Sequence, residues 1–162
     1  MENPTITIHT DGSSRGNPGR GGYGIVLTSG KFRKEVSEGY RKTTNNRMEL
    51  LAVIVALEML KIDGSNVTIH TDSMYVSEAI NKKWIESWIK KGFKNVKNPD
   101  LWQRFLRIYE KHNVKFVWLK GHAGYIENER CDELATNAAI QKDLKIDEYY
   151  ENLNSNLFGN SN

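Results

Sequence analysis

The amino-acid sequence predicts an α/β fold, a single mixed β-sheet with helices packed against it. Three observations carry that reading. Three strand-like segments come first, separated only by turns; strands then alternate with helical segments; and two of the strands run into the same short pattern, Thr7-Ile8-His9-Thr10-Asp11 and Thr68-Ile69-His70-Thr71-Asp72. Strands joined by tight turns pair antiparallel, whereas strands joined through a helix pair in parallel, so this order of elements gives a sheet of mixed sense.

Taken in order, Thr5 to Thr10 alternates polar and apolar residues, with Ile6 and Ile8 on one face, and a glycine-rich turn follows. Gly22 to Ser29 and Phe32 to Tyr40 flank Ser29-Gly30-Lys31 and form a hairpin. Thr44 to Leu60 has helical spacing, with Met48, Leu51, Ile54, Val55 and Leu57 as apolar cover and Asp63-Gly64 as its stop. Val67 to Thr71 is another alternating strand. A short helix from about Ser73 leads into a lysine-rich segment, and Asn98-Pro99-Asp100 opens a helix to about Lys111, with proline in its first turn. Lys115 to Leu119 is the last strand, and Glu127 to about Lys142 the last helix. One domain over residues 1–150 is expected. Glu151 to Asn162, rich in asparagine and poor in apolar residues, reads as a flexible, frayed tail.

Composition narrows the class of protein. With 38% hydrophobic and 27% charged residues the 162-residue chain is an ordinary globular one, and no apolar run approaches the ~18 residues of a membrane helix. Cys131 is the only cysteine, which excludes an internal disulfide and a cysteine-built metal site. Nothing at Met1-Glu2-Asn3-Pro4 resembles a secretion signal, which with the single cysteine favours a reducing cytoplasm; a monomer is the expected state. The net charge of +3 is unevenly spread: Lys82 to Lys97 holds six lysines against the single acid Glu86, on a body that is otherwise mildly acidic. Such a segment is either a solvated helix face or a footprint for a polyanion.

The repeated Thr-Ile-His-Thr-Asp pattern has a chemical consequence. If the two strands lie side by side and parallel, Asp11 and Asp72 fall next to each other on one face, where they repel unless a cation sits between them. Glu49 lies one turn inside the first helix, ahead of Val53, Ala56 and Leu60 on its inward stripe. Asp132 holds the same place in the last helix, ahead of Ala135 and Ala139. Each acid alone could simply cap a turn or complement a helix dipole. Four such acids, two on strands and two near helix starts, favour a shared site. Gly19-Arg20-Gly21-Gly22-Tyr23-Gly24 matches the GxGxxG letters of dinucleotide-binding loops, but the strand-like Ile25-Val26-Leu27-Thr28 follows where that motif needs a helix.

In sequence order, Thr10-Asp11-Gly12-Ser13, Gly16-Asn17-Pro18-Gly19, Gly21-Gly22-Tyr23-Gly24, Thr43-Thr44-Asn45-Asn46-Arg47-Met48-Glu49-Leu50, Thr71-Asp72-Ser73, Lys120-Gly121-His122-Ala123-Gly124 and Glu127-Asn128-Glu129-Arg130-Cys131-Asp132 resemble type 1 ribonuclease H of the bacterial kind. The resemblance runs from about Thr5 to Lys142. It implies the ribonuclease H fold, a five-stranded mixed sheet in the order 3-2-1-4-5 flanked by helices. It implies an endonuclease that hydrolyses the RNA strand of RNA–DNA hybrids by two-metal-ion catalysis, leaving 5′-phosphate and 3′-hydroxyl ends.

Carried over residue by residue, the resemblance assigns Asp11, Glu49, Asp72 and Asp132 as metal-binding carboxylates for two Mg²⁺ ions, with Mn²⁺ as a substitute. His122 takes the place of a mobile histidine that aids proton transfer or product release, and Tyr125-Ile126 stands where bacterial relatives often carry His-Pro. Asn17, Asn45, Asn46 and Met74 fall where family members contact sugars and base edges, including the 2′-hydroxyls that mark RNA. Lys42, Thr44 and Asn98 resemble a pocket for a DNA-strand phosphate. Tyr75, Trp84 and Trp88, followed by Lys90, Lys91 and Lys94, resemble the DNA groove and its basic protrusion, although Trp84 and Trp88 at helical spacing are equally compatible with the core. Two rival readings remain: a module that grips hybrids or double-stranded RNA without cutting, and another nuclease of the same superfamily.

Overall fold

A computed structural model describes residues 3–159. Strands β1 (Thr5–Arg15), β2 (Gly19–Ser29) and β3 (Phe32–Thr43) come first, followed by helix α1 (Asn45–Glu58) and strand β4 (Asn66–Thr71). Helices α2 (Met74–Asn81), α3 (Trp84–Lys90) and α4 (Pro99–Tyr109) precede β5 (Asn113–Trp118), and α5 (Ile126–Ala139) and α6 (Glu148–Gly159) complete the chain. The five strands form one mixed sheet in the order β3-β2-β1-β4-β5, antiparallel at β1–β2 and β2–β3 and parallel at β1–β4 and β4–β5. This is the order the family resemblance implied.

The parallel register is in phase: His9 lies opposite His70 and Thr10 opposite Thr71. Asp11 is not at a strand end, as the sequence suggested, because β1 runs on to Arg15 against β2 alone. It lies where β4 stops, so the sheet opens beside it.

Each face of the sheet carries helices. α1 packs on β1 and β2 and is covered in turn by α4, which explains why its buried residues run almost all round, from Arg47 to Leu57. Thr44 caps it, its hydroxyl accepting from the Arg47 amide at 3.2 Å. α5 covers the opposite face, against β1, β2 and β3. Both helices approach the strands at positions where a side chain would not fit. A Cβ on Gly12 would fall on the backbone of Glu49 in α1, and one on Gly24 on the carbonyl oxygen of Cys131 in α5.

Arg47 is a buried tie between distant segments. Only 2% exposed, it makes ion pairs of 2.7 Å with both Asp100 of α4 and Asp147 before α6, and donates to the side chain of Asn98 at 3.2 Å. Asp147 also accepts from the Thr43 hydroxyl at 2.8 Å, and the Tyr149 ring lies 5.3 Å from the Arg47 guanidinium carbon. A cation so deeply buried is tolerable because its donors are matched by two carboxylates and an amide oxygen.

The C-terminal segment, read from the sequence as a flexible tail, carries a helix: Glu151 to Gly159 is most of α6, while residues 160–162 lie outside the described residues. The cause is tertiary. Lys145 bridges to β3 through backbone hydrogen bonds with Gly39 and Arg41, the Asp147 carboxylate accepts from the Tyr150 amide, and Glu151 pairs with Arg41 at 3.0 Å. The β3 partners lie far away in sequence, so no local pattern announces them.

Replacing Gly24 with alanine is expected to lower stability by about 1–3 kcal/mol, because the added methyl must push α5 off the sheet. Thermal unfolding followed by circular dichroism tests this: a melting temperature equal to that of the unaltered chain would contradict the close packing of α5.

Candidate active site

At the end of β4, where the sheet opens, three carboxylates converge. One oxygen from each of Asp11, Glu49 and Asp72 lies within 4.8 Å of the others. Each is delivered by a different element: Asp11 by β1, Glu49 by the first turns of α1 held against Gly12, and Asp72 by the residue following β4. Asp11 and Glu49 are buried and Asp72 half-buried.

The electrostatics of this cluster are unfavourable without a cation. Burial, with the neighbouring Asp72 charge adding to it, pushes the Asp11 carboxyl up to about 8, against an opposing hydrogen bond with Glu49. Burial and the charge of Asp11 hold Glu49 well above the usual carboxylate range. The Glu49 Oε2 atom is buried with no hydrogen-bond partner. An unpartnered acceptor among crowded carboxylates suits a hard divalent cation, which prefers oxygen ligands and removes the repulsion.

Asp132 is less tightly gathered. It is half-buried on α5, close enough to Asp11 to help raise its carboxyl, but it is not part of the three-carboxylate group. His122 is exposed in the loop before α5 with a left-handed backbone (φ 55°). Gly121 in that loop lies against the Asp72 carboxylate.

Sequence reasoning did not single out Asn128 and Trp118. Asn128, 3% exposed on the first turn of α5, donates to Asp72 Oδ2 at 3.5 Å, and its own Oδ1 is buried without a partner. The Trp118 indole donates to the Asp72 carbonyl at 3.1 Å. Asn128 lies inside one of the family motifs, but a lone amide among several acids gives no local reason to choose it. The stacked pair His9 and His70, with ring centroids 4.5 Å apart, follows directly from the matched register of β1 and β4. Burial first, then His70, lowers His9 to about 4, and burial lowers His70 as well, so both rings lie neutral beneath the carboxylates.

Several of the groove candidates gather around one cavity. Asn17, Thr44, Asn46 and Asn98 line a cavity of about 550 Å³ together with residues of α6. Asn17 accepts from the Asn45 amide at 3.2 Å, which ties the β1–β2 turn to the start of α1. Asn45 and Asn46 are exposed there, as are Lys42 and Met74. Thr44 is committed to its helix cap, so its hydroxyl has a structural task beside any contact with substrate. The Tyr75 hydroxyl accepts from Asn98 at 3.0 Å and from the Trp102 indole at 2.8 Å, which orients Asn98. Of the two tryptophans left undecided, Trp88 packs against Trp102 at 5.1 Å, whereas Trp84 is 40% exposed beneath the Lys82 ammonium. Lys90, Lys91 and Lys94 are exposed, and Lys91 and Lys94 line a second cavity of about 370 Å³ beside Trp88.

Comparison with known proteins places this arrangement. The family model described as RNase H matches residues 3–140. The chain belongs to the RNase H family. It is 56% identical to a ribonuclease H of Desulforamulus reducens over 147 residues, covering 88% of this chain and 92% of that one. It is 53% identical to a ribonuclease H of Rippkaea orientalis over 152 residues, covering 91% and 93%. Among solved structures it resembles LC9-RNase H1, described as a type 1 RNase H with the type 2 active-site motif, with a TM-score of 0.78 and 31% identity over 86% of this chain and 74% of that one. It also resembles LC11-RNase H1, solved in complex with RNA/DNA hybrid, at a TM-score of 0.59 and 29% identity over 83% and 96% of the two chains. The family uses a divalent metal, and the acidic cluster required for it is present.

Asp11→Asn is expected to stabilise the metal-free protein at alkaline pH. The folded carboxyl titrates near 8 against an ordinary 3.8, so the folded state binds more protons between those values and stability falls as pH rises through the window. The asparagine variant should lose that slope and gain about 1–3 kcal/mol above pH 8. Melting curves from pH 4 to 9 in EDTA, with and without added Mg²⁺, would show it. A variant whose stability falls with pH as steeply as the parent would show that Asp11 is not held protonated in the folded state.

Proposed function

We propose that this member of the RNase H family is an endonuclease that hydrolyses the RNA strand of RNA–DNA hybrids with Mg²⁺ held by Asp11, Glu49 and Asp72, joined by Asp132. The observation that carries the reading is the convergence of three acids from β1, α1 and the end of β4, two of them held high by burial and, after it, by neighbouring carboxylate charge. A divalent cation bound there supplies Lewis-acid chemistry, activating water near neutral pH and neutralising charge on the phosphate. Mg²⁺ suits an all-oxygen site that also takes substrate phosphate, and Mn²⁺ is its natural substitute.

The chain's own residues do the rest. Asn128 orients the Asp72 carboxylate by donating to Oδ2. In this reading His122, exposed in the loop before α5, takes up or releases a proton as the P–O3′ bond breaks and the 3′-hydroxyl leaves, a role supported by its place in the family motif. Asn17, Asn45, Asn46 and Met74 contact the cleaved strand and its 2′-hydroxyls. Lys42, Thr44 and Asn98, with Tyr75, Trp84 and Trp88, hold the DNA strand across the groove, and Lys90, Lys91 and Lys94 add phosphate contacts. The Asn98 amide is aimed by its bonds to Tyr75 and Arg47.

The protein acts as a monomer in the cytoplasm. The free Cys131 is buried, and among the described residues no helix is long and apolar enough to cross a membrane.

Given four substrates of one sequence at equal salt, the protein should cut the RNA of the hybrid, spare its DNA strand, and act poorly on duplex RNA and duplex DNA. Cleavage should stop in EDTA. Efficient scission within a deoxyribose stretch inserted into the RNA strand would mean that 2′-hydroxyls are not read.

Changing Lys90, Lys91 and Lys94 together to alanine should weaken hybrid binding and flatten its salt dependence, the log–log slope falling by about 0.7–0.9 for each phosphate no longer neutralised. Affinity measured from low to high salt decides the matter; an unchanged slope would return these lysines to a solvated face.

A further inference from the structure

The cavity that gathers Asn17, Thr44, Asn46 and Asn98 has a wall that the family match does not include. Tyr149, Tyr150 and Leu153 of α6 line it, as do Lys97 and Pro99. The RNase H family model ends at residue 140, eight positions before α6 begins. The wall is firmly placed: Asp147 caps α6 and is itself clamped by Arg47 and Thr43, while Tyr149 lies over the Arg47 guanidinium.

From this arrangement we infer that α6 forms part of the nucleic-acid interface, Tyr149 and Tyr150 packing on one deoxyribose of the hybrid's DNA strand. The inference rests on the proposed hybrid-cleaving function.

Three features of the lining point to that occupant. At about 550 Å³ the cavity falls within the range of ligand-sized pockets, roughly 300–1,000 Å³. The positive charge of Arg47 is already matched by Asp100 and Asp147, so the floor does not act as a buried anion trap. What remains is side-chain amides, two tyrosine rings, an apolar Leu153 and one exposed cation, Lys97. That mixture suits an apolar sugar face followed by a phosphate. Aromatic rings pack well on such a face, whereas a 2′-hydroxyl directed at the face of a ring gains no hydrogen bond there. Asn46 of this lining lies on α1 three residues before Glu49, so the cavity and the acidic cluster share the first turns of that helix.

The test places single ribonucleotides, one position at a time, along the DNA strand of a short hybrid and measures KM and kcat. The proteins compared are the unaltered chain, Tyr150→Ala and Tyr150→Trp. The unaltered protein should show a raised KM at one position of the scan. Tyr150→Ala should raise KM on the all-DNA strand about fivefold, the low end of an aromatic contact, with kcat within twofold, and should lose the discrimination at that one position. Tyr150→Trp, which keeps a ring, should retain it. Melting temperatures are recorded for every protein, and Tyr150→Leu, which keeps apolar bulk without a ring, serves if the alanine variant is unstable and should likewise raise KM and lose the discrimination. Normal hybrid cleavage with no sensitive position, or an alanine variant that keeps the same discrimination, overturns the role of α6 alone. An unaltered protein that fails to cut any hybrid overturns the hybrid-cleaving function and this inference with it.

Discussion

The approach of two helix backbones to the sheet, closer than any side chain would permit, sets the geometry on which the site depends. α1 rests on Gly12 and α5 on Gly24, with Gly22 and Gly39 continuing the floor under α5. Each contact fixes the depth of a helix rather than merely its direction. Glu49 is the residue whose backbone meets Gly12, so it is carried to within reach of Asp11 by packing alone. Cys131 meets Gly24, and the next residue is Asp132. In a close-packed interior even one methyl group is felt, so these contacts translate a choice of glycine on a strand into the position of an acid on a helix.

The cluster assembled in this way stores electrostatic conflict. Folding buries Asp11 and Glu49 beside Asp72, and desolvation and mutual repulsion together keep protons on the buried pair well above the ordinary carboxylate range. Burial of that kind would be a poor device for stability and is a good one for binding a cation, because the ion satisfies acceptors that nothing in the protein satisfies. The surroundings support the same end. His9 and His70 are held neutral by burial and add no competing charge, and Asn128 offers Asp72 a donor without adding charge of its own.

Arg47 plays the corresponding role for the groove. It joins α1, α4 and the approach to α6 by two buried ion pairs, and Asn98, Tyr75 and Trp102 extend the network by hydrogen bonds. A buried network whose charges are paired holds its members rigidly. The candidate substrate residues around it are therefore presented on a fixed frame that shares the first turns of α1 with Glu49.

The sequence by itself determined the fold class, the sheet order through its family resemblance, and the phase of the two aspartates, because a strand's period of two makes matched patterns fall on matched faces. It also marked Glu49 and Asp132 by their helical stripes. What it could not determine was anything held by long-range partners. The continuation of β1 past Asp11 depends on pairing with β2, and the helix α6 depends on Asp147, Arg41 and the Lys145 bridge to β3. The contact of Asn128 with Asp72 and the seating of a partly buried Trp88 on Trp102, while Trp84 stays exposed, were likewise decided by packing. Local pattern encodes which face a residue occupies; only the assembled chain decides what stands opposite it.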